Sequence, residues 1–438
     1  MEANCKSLIE QIKKEPYNVV DVQRFLSDIA RVTPVVPPPD PIPVTFNFDQ
    51  GIPSAETFPL AALGQLHSDV LRCDGARALE YVSLDVDGPG DQIVYGNTGY
   101  TELVLGSLHL RRELARWLGE RNARADLGPD NLIITSGSVQ AIALAINALI
   151  NPGDGVLVEA ATFPYALRYA KMRGADVRPV AIDADGLDPD ALESRLAEMT
   201  ATGMVPKLLY IVATFQLPTC VSTSEPRRRR ILELAQEYDF LVLEDNIYGD
   251  LRYHGEPLPT LLSMDTTGRV MQSHGFSKTV APALRIGWMT GPEELISGLG
   301  SVRQDLGPSL WTCRALAQFV ASGGFDEQID RANDVYRRKL DVAVAAVREH
   351  CGPWATFAVP EGGFYLWLKL SDQVDWREVR RRSAEGGVAF RPGERFMIDS
   401  AAADGAGYLR LAYSHVDDDE MRRGIAILGE AIRESVIK

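Results

Sequence analysis

The chain has 438 residues, of which 45% are apolar and 24% charged, and its formal net charge is −15. These values are typical of a globular protein with a large core, and they exclude collagen-like, coiled-coil and disordered chains. An acidic chain is a poor general nucleic-acid binder, because such binding needs a basic surface. Without an apolar run of membrane-spanning length, we expect neither nucleic acid nor a membrane among its partners.

The cysteine pattern predicts a reducing compartment. Five cysteines lie far apart, their number is odd, and they form no C-x-x-C pair. This pattern favours neither a disulfide framework nor a metal site. The first residues, MEANCKSLIEQIKKEP, lack the apolar core of a signal peptide. The predicted location is therefore cytoplasmic, and no metal is expected in the site.

Residues 1–45 are predicted to form an N-terminal arm. One or two short helices are expected up to residue 33, followed by the proline-rich stretch Pro34–Val44. Proline fixes φ and lacks an amide donor, so this stretch is expected to be extended. We interpret it as a strap between the arm and the main body; the alternative is a flexible linker.

Residues 46–306 are predicted to form a large α/β domain. Strands are expected in NLIITSG, GVLVEAA, KLLYIVATF, FLVLEDN, RVMQSHG and LRIGWMTGP, with helices such as Ser138–Leu149 and Arg227–Tyr238 between them. The strands lack polar alternation, which indicates a mostly parallel sheet covered by helices on both faces. Ligands of such sheets bind beyond the carboxyl ends of the strands, so chemistry is expected there.

Residues 307–438 are predicted to form a smaller α+β domain. A long helical stretch is expected to about His350, followed by strands in FAVPEGGFYLWLKL and GYLRLAYS. The last predicted element is a helix over Asp417–Ile437.

Three positions after predicted strands carry candidate chemistry. Gly137 and Ser138 precede a helix, whose free amides can bind an anion, although serine is also a common helix cap. Asp245 ends a strand and could hold a metal or a protonated ring nitrogen, or cap a helix; Tyr248 follows three residues later. Lys278 lies in a turn after a strand. A solvated lysine would be inert there, whereas a partly desolvated one has a lowered pKa and can form a Schiff base.

The order of TSGSVQA, LEDNIY and FSKTVAPALRIGW resembles that of the class I/II aminotransferases, which are fold-type-I enzymes using pyridoxal 5′-phosphate (PLP). Further motifs agree: GIP, YGNTGY, PEGGFYLW, RPGERF and YLRLAYS. The resemblance covers about Phe46–Ile437 and is closest to the branch holding 2-aminoadipate aminotransferases and the catalytic domains of MocR-type regulators. It implies a fold-type-I PLP transferase with a mostly parallel central sheet and a smaller C-terminal domain.

The resemblance also implies roles around the cofactor ring. Lys278 would carry PLP as a Schiff base and later move the α-proton. Asp245 would keep the pyridine nitrogen protonated, so that the ring is an electron sink. Tyr248 would donate to the phenolic oxygen of the ring, and Phe163 would stack on the ring.

Other implied roles concern the phosphate and the substrate. The residues expected to hold the phosphate are Gly137, Ser138, Val139, Ser277 and Arg285. Tyr95, in YGNTGY, would reach the phosphate of a neighbouring subunit, which implies a homodimer. Arg410 would clamp the α-carboxylate of the substrate bidentately, although a surface position on its strand is the alternative.

Two positions depart from the family pattern. Leu217 stands where the family has the asparagine of Asn-Pro-Thr-Gly, and leucine cannot donate to the ring's phenolic oxygen. Gly275 stands three residues before the lysine, where the family has a serine or threonine that donates to the phosphate. His274 is a possible substitute for that donor.

Three functions are compatible with these patterns. The first is a PLP-dependent aminotransferase acting on an amino acid and a 2-oxo acid. The second is a PLP enzyme of specialised metabolism that performs β/γ-elimination or replacement, cyclisation or oxidation, because Leu217 and Gly275 alter the cofactor's surroundings. The third is a non-catalytic PLP-binding sensor domain, disfavoured here because no winged-helix module precedes it. The run Arg227–Arg230 is expected to be a solvated helix face rather than a nucleic-acid site.

Overall fold

The computed structural model describes residues 22–27, 29–30, 43–79, 104–398 and 405–437. Residues Ile42–Lys438 form one unit, and Met1–Pro41 form another. In the N-terminal unit, Val22–Phe25 is a short 3-10 helix. Most of the predicted arm and strap lies outside the described residues.

The main unit contains fourteen strands and twelve α-helices in its described part. The strands are β1 Phe46–Phe48, β2 Leu132–Thr135, β3 Gly155–Glu159, β4 Asp176–Val180, β5 Ile182–Asp183, β6 Gly186–Leu187, β7 Pro206–Ile211, β8 Leu241–Asp245, β9 Val270–Gly275, β10 Gly287–Thr290, β11 Ala355–Thr356, β12 Tyr365–Leu370, β13 Val388–Pro392 and β14 Tyr408–Ala412. The helices are α1 Leu60–Asp74, α2 Leu108–Asn122, α3 Ser138–Leu149, α4 Pro164–Met172, α5 Pro189–Ala201, α6 Glu225–Glu237, α7 Leu261–Met264, α8 Glu293–Ser301, α9 Leu310–Ala321, α10 Gly324–His350, α11 Trp376–Glu385 and α12 Asp418–Glu434.

Seven strands form the large sheet in the order β2-β10-β9-β8-β7-β3-β4. Strand β10 runs antiparallel to β2 and β9, and the other neighbouring pairs are parallel. Along β7, Leu208 and Tyr210 pack in one apolar cluster, whereas Leu209 and Ile211 pack in another. Because successive side chains point to opposite faces, both faces of this strand are buried, which explains its unbroken apolar run.

Five strands form the small sheet in the order β1-β13-β14-β12-β11. Strand β1 pairs parallel with β13, with Phe48 opposite Phe390. The segment around Phe46–Phe48 thus adds an edge strand to the C-terminal sheet, although it precedes the whole large sheet in the sequence. Strands β13 and β14 are antiparallel, with Arg391 opposite Arg410. The small sheet therefore brings the segment that precedes the large sheet next to strands that follow it in the sequence.

Two details differ from the sequence expectations. The long helical stretch before His350 is two helices, α9 and α10, because Gly323 between them has a left-handed φ of 80°. The arginine run is not a uniformly solvated face, since Arg228 is fully buried. Its guanidinium donates to the carbonyls of Ala213 and Thr223, which offsets part of the cost of burying it.

Candidate active site

The predicted site residues gather at the carboxyl ends of the large-sheet strands. Gly137 follows β2, Phe163 follows β3, and Asp245 ends β8. Lys278 lies three residues beyond β9, with its ammonium group 5.6 Å from the ring centroid of Tyr248. Parallel strands bring their carboxyl ends to one edge of a sheet, so positions far apart in sequence meet there.

Glycine and arginine shape the start of helix α3. Gly137 precedes the helix with a φ of 91°, and no side chain of the described residues caps this end. A Cβ on Gly137 would lie 2.6 Å from Nη2 of Arg285, which donates to the Ser136 carbonyl at 2.7 Å. The first-turn amides of Ser138 and Val139 have no carbonyl within the helix to bond. A guanidinium beside a helix N-terminus forms a site for an anion such as phosphate.

Lys278 is half-buried between aromatic rings. Its Nζ donates to the Gly51 carbonyl at 2.7 Å and lies 5.8 Å from the ring centroid of Phe364. The pKa of Lys278 is lowered to about 8, mainly by burial and then by the positive charges of Arg410 and Arg285, while the charge of Asp245 opposes the shift. At pH 7 about one tenth of this lysine is then uncharged, which is far more than for a solvated lysine, and the uncharged amine is the nucleophile.

Asp245 has one paired and one unpaired carboxylate oxygen. The Tyr210 hydroxyl donates to Oδ2 at 2.8 Å, while the buried Oδ1 has no hydrogen-bond partner among the described residues. Burial raises the pKa of Asp245 to about 6, although the Tyr210 hydrogen bond and the Lys278 charge oppose the rise. A buried, unpaired carboxylate oxygen is costly unless it meets a donor, and a protonated ring nitrogen would supply one.

Tyr248 is linked to a tyrosine of the small sheet. Its hydroxyl lies 2.7 Å from the hydroxyl of Tyr365, so one of the two donates to the other. If Tyr365 donates, the proton of Tyr248 is available for a ligand oxygen. Burial raises the pKa of both hydroxyls, which keeps them protonated as donors.

Arg410 lies against the same aromatic group. Its guanidinium carbon is 4.3 Å from the ring centroid of Tyr365 and 5.0 Å from that of Phe396. It donates to the backbone carbonyl of Asp49, and its buried Nε has no partner within the described parts of the chain. Arg410 is thus a buried guanidinium rather than a surface charge, and its positive charge helps to lower the pKa of Lys278.

The loop after β7 carries the first departure from the family pattern. Leu217 is buried in the same apolar cluster as Tyr248 and Tyr365. The preceding Gln216 donates to the Ala161 carbonyl at 2.5 Å and accepts from the Thr219 hydroxyl at 2.7 Å. Gln216 therefore joins this loop to the loop that carries Phe163, and Leu217 adds apolar surface to the site.

The second departure from the family pattern is Gly275. Its close neighbours disfavour a larger residue there, and His274 does not replace the missing phosphate donor. A Cβ on Gly275 would lie 3.0 Å from Cα of Gly287, which leaves little room for serine. His274 Nδ1 accepts from the Gly275 amide at 2.7 Å, and Nε2 lies 3.0 Å from Asp250. The imidazole also stacks on Trp288, and its two nitrogens are directed at the Gly275 amide and at Asp250.

The remaining predicted residues have less defined surroundings. Phe163 is half-buried, packs against two apolar clusters and immediately precedes helix α4. Ser277 is buried beside Lys278. Tyr95 lies outside the described residues.

Four residues of the site escaped the sequence analysis. Tyr210 and Glu159 lie beneath Asp245, where Glu159 accepts from the Val212 amide at 3.0 Å and burial raises its pKa to about 8. Tyr365 was part of a recognised motif without a role, and Asp49 precedes the GIP motif. The only signal in the sequence was a polar or charged residue in an apolar strand, as for Glu159 in GVLVEAA.

These side chains fit PLP. The unpaired Oδ1 of Asp245 suits a protonated pyridine nitrogen, and the lysine of lowered pKa suits an aldehyde. The start of α3 with Arg285 suits a phosphate, because a Cβ at Gly137 would fill this cradle. Within the described residues, no helix has the length and apolar character to cross a membrane.

Comparisons with known proteins agree with this site. The chain belongs to the class I and II aminotransferase family, whose model matches residues 97–428. It is 34% identical over 391 residues to aromatic-amino-acid aminotransferase 1 of Thermococcus litoralis, covering 89% of this chain and 88% of the relative. It is also 34% identical over 322 residues to the mitochondrial kynurenine/alpha-aminoadipate aminotransferase of Mus musculus, covering 70% and 75%.

Solved structures show the same fold. The kynurenine aminotransferase of Pyrococcus horikoshii has a TM-score of 0.84 at 31% identity, covering 95% of this chain and 98% of that one. The multiple substrate aminotransferase of Thermococcus profundus has a TM-score of 0.83 at 30% identity, covering 95% and 99%. The prediction of an α/β, fold-type-I PLP transferase is therefore confirmed. The protein is a PLP-dependent aminotransferase acting on amino acids, and the alternative PLP reactions and the sensor function are not favoured.

Proposed function

We propose that this aminotransferase moves the amino group of an aromatic or other apolar α-amino acid to a 2-oxo acid. In this proposal Lys278 forms the Schiff base with PLP and transfers the α-proton of the substrate. Asp245 faces the ring nitrogen of PLP, and Arg410 binds the α-carboxylate of the substrate. The supporting observation is the cluster of a lysine of lowered pKa, a half-paired carboxylate and a buried arginine in one site. PLP supplies an aldehyde that condenses with amines and a ring that takes up the electrons of a broken α-C–H bond.

Lys278 would act as the base and acid at the α-carbon. Its pKa of about 8 lies near working pH, so its amine can accept a proton and return it. The rings of Tyr248 and Phe364 beside Nζ shield part of this amine from bulk water. A desolvated, correctly placed amine makes proton transfer local and fast.

Asp245 would hold a proton on the ring nitrogen through Oδ1. Because the Tyr210 hydroxyl already occupies Oδ2, the carboxylate is oriented before the ring arrives. Ser138, Val139 and Ser277 would donate to the phosphate beside Arg285, Tyr248 would donate to the phenolic oxygen, and Phe163 would stack on the ring.

The apolar surface of the site supports an apolar side chain on the donor amino acid. Leu217, Phe364 and Tyr365 belong to one buried cluster, and Phe163 packs against it. The relative from Thermococcus litoralis, at 34% identity, is named for aromatic amino acids. The leucine in place of the family's asparagine enlarges this apolar surface.

The holoenzyme mixed with single amino acids tests this proposal. Aromatic and aliphatic amino acids are expected to convert the cofactor to its amino form, with release of the matching 2-oxo acid detected by mass spectrometry. A 2-oxo acid added afterwards is expected to restore the original visible spectrum. Ammonia or a cyclised product without amino transfer would contradict transamination.

We further propose that the chain works as a homodimer, in which Tyr95 reaches the neighbouring subunit's phosphate. The support is the YGNTGY motif, which reaches a partner site in the resembled family. Light scattering at micromolar concentration is expected to give twice the chain mass, and a fully active monomer would contradict this proposal. A cytoplasmic location, and the division into residues 1–45, 46–306 and 307–438, are likewise proposed from the sequence.

A further inference from the structure

Three neighbouring strands of the small sheet align one acidic and two basic residues. Because Phe48 on β1 lies opposite Phe390 on β13, Asp49 follows beside Arg391. Across the next pair of strands, Arg391 lies opposite Arg410. Two like charges directly opposite each other on a sheet repel, so this pair requires an anion nearby.

Asp49 supplies that anion and is held at both of its ends. Its carboxylate accepts from Nε and Nη2 of Arg391 at 2.5 and 2.6 Å. Its backbone carbonyl accepts from Arg410. Two residues later, the Gly51 carbonyl accepts from Lys278. The segment Asp49–Gly51 thus runs from Arg391, past Arg410, to the lysine.

The covalent structure of Asp49 indicates what the two arginines can hold. Two carbons, Cα and Cβ, separate its backbone carbonyl carbon from its side-chain carboxyl carbon. The same two carbons separate the carboxyl carbons of a four-carbon dicarboxylic acid. Arg410 and Arg391 therefore hold an aspartyl residue as they would hold such an acid, with the α-carbonyl end nearer the lysine.

We infer that Arg391 is a specificity-determining residue that binds the distal carboxylate of a dicarboxylic 2-oxo acid, while Arg410 binds the α-carboxylate. Asp49 leaves both arginines when such a substrate enters. With a neutral substrate, only its backbone carbonyl leaves Arg410, and its carboxylate stays on Arg391. The inference rests on the proposed amino transfer, because it names the class of acceptor for that reaction.

The exposure of the groups is consistent with this exchange. The side chains of Arg391 and Asp49 are 40% and 29% exposed, so water and ligands reach their ion pair. An exposed ion pair is weak and can be exchanged for another carboxylate. Arg391 also lies opposite Arg410 across the paired strands β13 and β14, and Arg410 packs on the ring of Tyr365 in the site.

Binding of two matched acids to the holoenzyme tests the inference. Succinate and butyrate both have four carbons, and they differ by one carboxylate in place of a methyl group. Calorimetry is expected to show tighter binding of succinate. Arg391→Gln is expected to lower the succinate-to-butyrate affinity ratio by about tenfold or more, because it removes a bidentate charged contact. Asp49→Asn, which removes the internal competitor, is expected to raise the ratio.

Kinetics give the second readout. The ratio of kcat/KM for oxaloacetate to that for 2-oxobutanoate, which are both four-carbon 2-oxo acids, is expected to fall in Arg391→Gln and to recover partly in Arg391→Lys. Arg422→Gln, an exposed arginine on helix α12, is the matched control and is expected to leave both ratios unchanged. Thermal melting of each variant shows whether it is folded.

The outcomes separate this inference from the proposed function. Amino transfer with unchanged ratios in folded Arg391→Gln would overturn the inference alone. Absence of amino transfer, with succinate selectivity that Arg391→Gln abolishes, would overturn the proposed function and support the binding site. An unchanged or lower ratio in Asp49→Asn would overturn the role of Asp49 as an internal competitor.

Discussion

The two sides of the site are built differently. On the large-sheet side, Asp245 ends strand β8, Lys278 and Arg285 follow strand β9, and Gly137 lets Arg285 approach the start of helix α3. On the small-sheet side, Arg391 and Arg410 occupy regular positions of paired strands. Their partner is a peptide segment of the same chain.

This difference corresponds to two kinds of ligand. The large-sheet side keeps the unpaired oxygen of Asp245 buried and therefore suits one permanent group. The small-sheet side holds exchangeable ionic contacts and therefore suits substrates that enter and leave. The large-sheet side, whose groups are pre-organised, is expected to govern the chemical step. The small-sheet side, whose ionic contacts can be exchanged, is expected to govern substrate selectivity. The predictions below test this division, from the largest expected effect to the smallest.

Lys278→Ala tests the pre-organised side most directly. Loss of the nucleophile and of the acid–base group is expected to reduce turnover by about 10³-fold or more. Lys207→Ala, which alters a surface ion pair with Asp154, is the control. In the wild type, borohydride reduction and peptide mass spectrometry are expected to find the pyridoxyl group on Lys278. Its discovery on another lysine would refute the site.

Asp245→Asn should reduce turnover by about 10²- to 10³-fold. Removing one partner of a buried ion pair costs about 3–5 kcal/mol, and an amide cannot hold the ring proton. Turnover at saturating substrate measures this effect, and Asp183→Asn at the surface is the matched control. A variant that keeps most of its turnover would show that the ring nitrogen does not depend on this carboxylate.

Arg410→Gln tests both sides together. Loss of a charged clamp worth about 1.5–3 kcal/mol is expected to lower kcat/KM by about 10- to 100-fold. Because Arg410 lowers the pKa of Lys278, its removal should raise that pKa above about 8. The pH midpoint of cofactor uptake by the apoenzyme, followed by absorbance, is therefore expected to shift upward. A midpoint that stays or falls would argue against electrostatic contact between the two sides.

Leu217→Asn is expected to have the smallest effect on turnover. Asparagine would add a donor to the ring's phenolic oxygen, which in the proposed site only Tyr248 bonds. The added donor stabilises the deprotonated chromophore, so the visible spectrum should change at a lower pH than in the wild type. Leu217→Met serves as a size control without a donor. An unchanged or higher midpoint would favour Leu217 as a shape adaptation to the substrate.

The large sheet was predicted well because the sequence signals of its strands and helices lie within short segments of the chain. Buried parallel strands read as unbroken apolar runs, and helix α3 spans Ser138–Leu149 as expected. The positions of Asp245 and Lys278 followed from the rule that ligands lie beyond strand ends. Their chemical roles came from the family resemblance, because an acid or a lysine after a strand has several ordinary explanations.

The small-sheet side could not be predicted in the same way. Asp49 and Arg391 are separated by more than three hundred residues, and only the pairing of β1 with β13 brings them together. Likewise, Tyr210 meets Asp245 through the pairing of β7 with β8. Such contacts depend on strand register, which a single sequence does not reveal. The burial of Arg228 was missed for a related reason, since its carbonyl partners include one from the preceding strand's loop.

The crowding around Gly275 limits what a single substitution can add to the site. A side chain at Gly275 would press on Gly287 and on the Ile286 carbonyl of the adjoining strand, 3.0 and 3.1 Å away. Gly287 is itself crowded, since a Cβ there would lie 2.8 Å from the Ser138 amide. A serine at position 275 would thus require β10 to shift, so Gly275→Ser alone would add the hydroxyl typical of the resembled family only at a cost in fold stability.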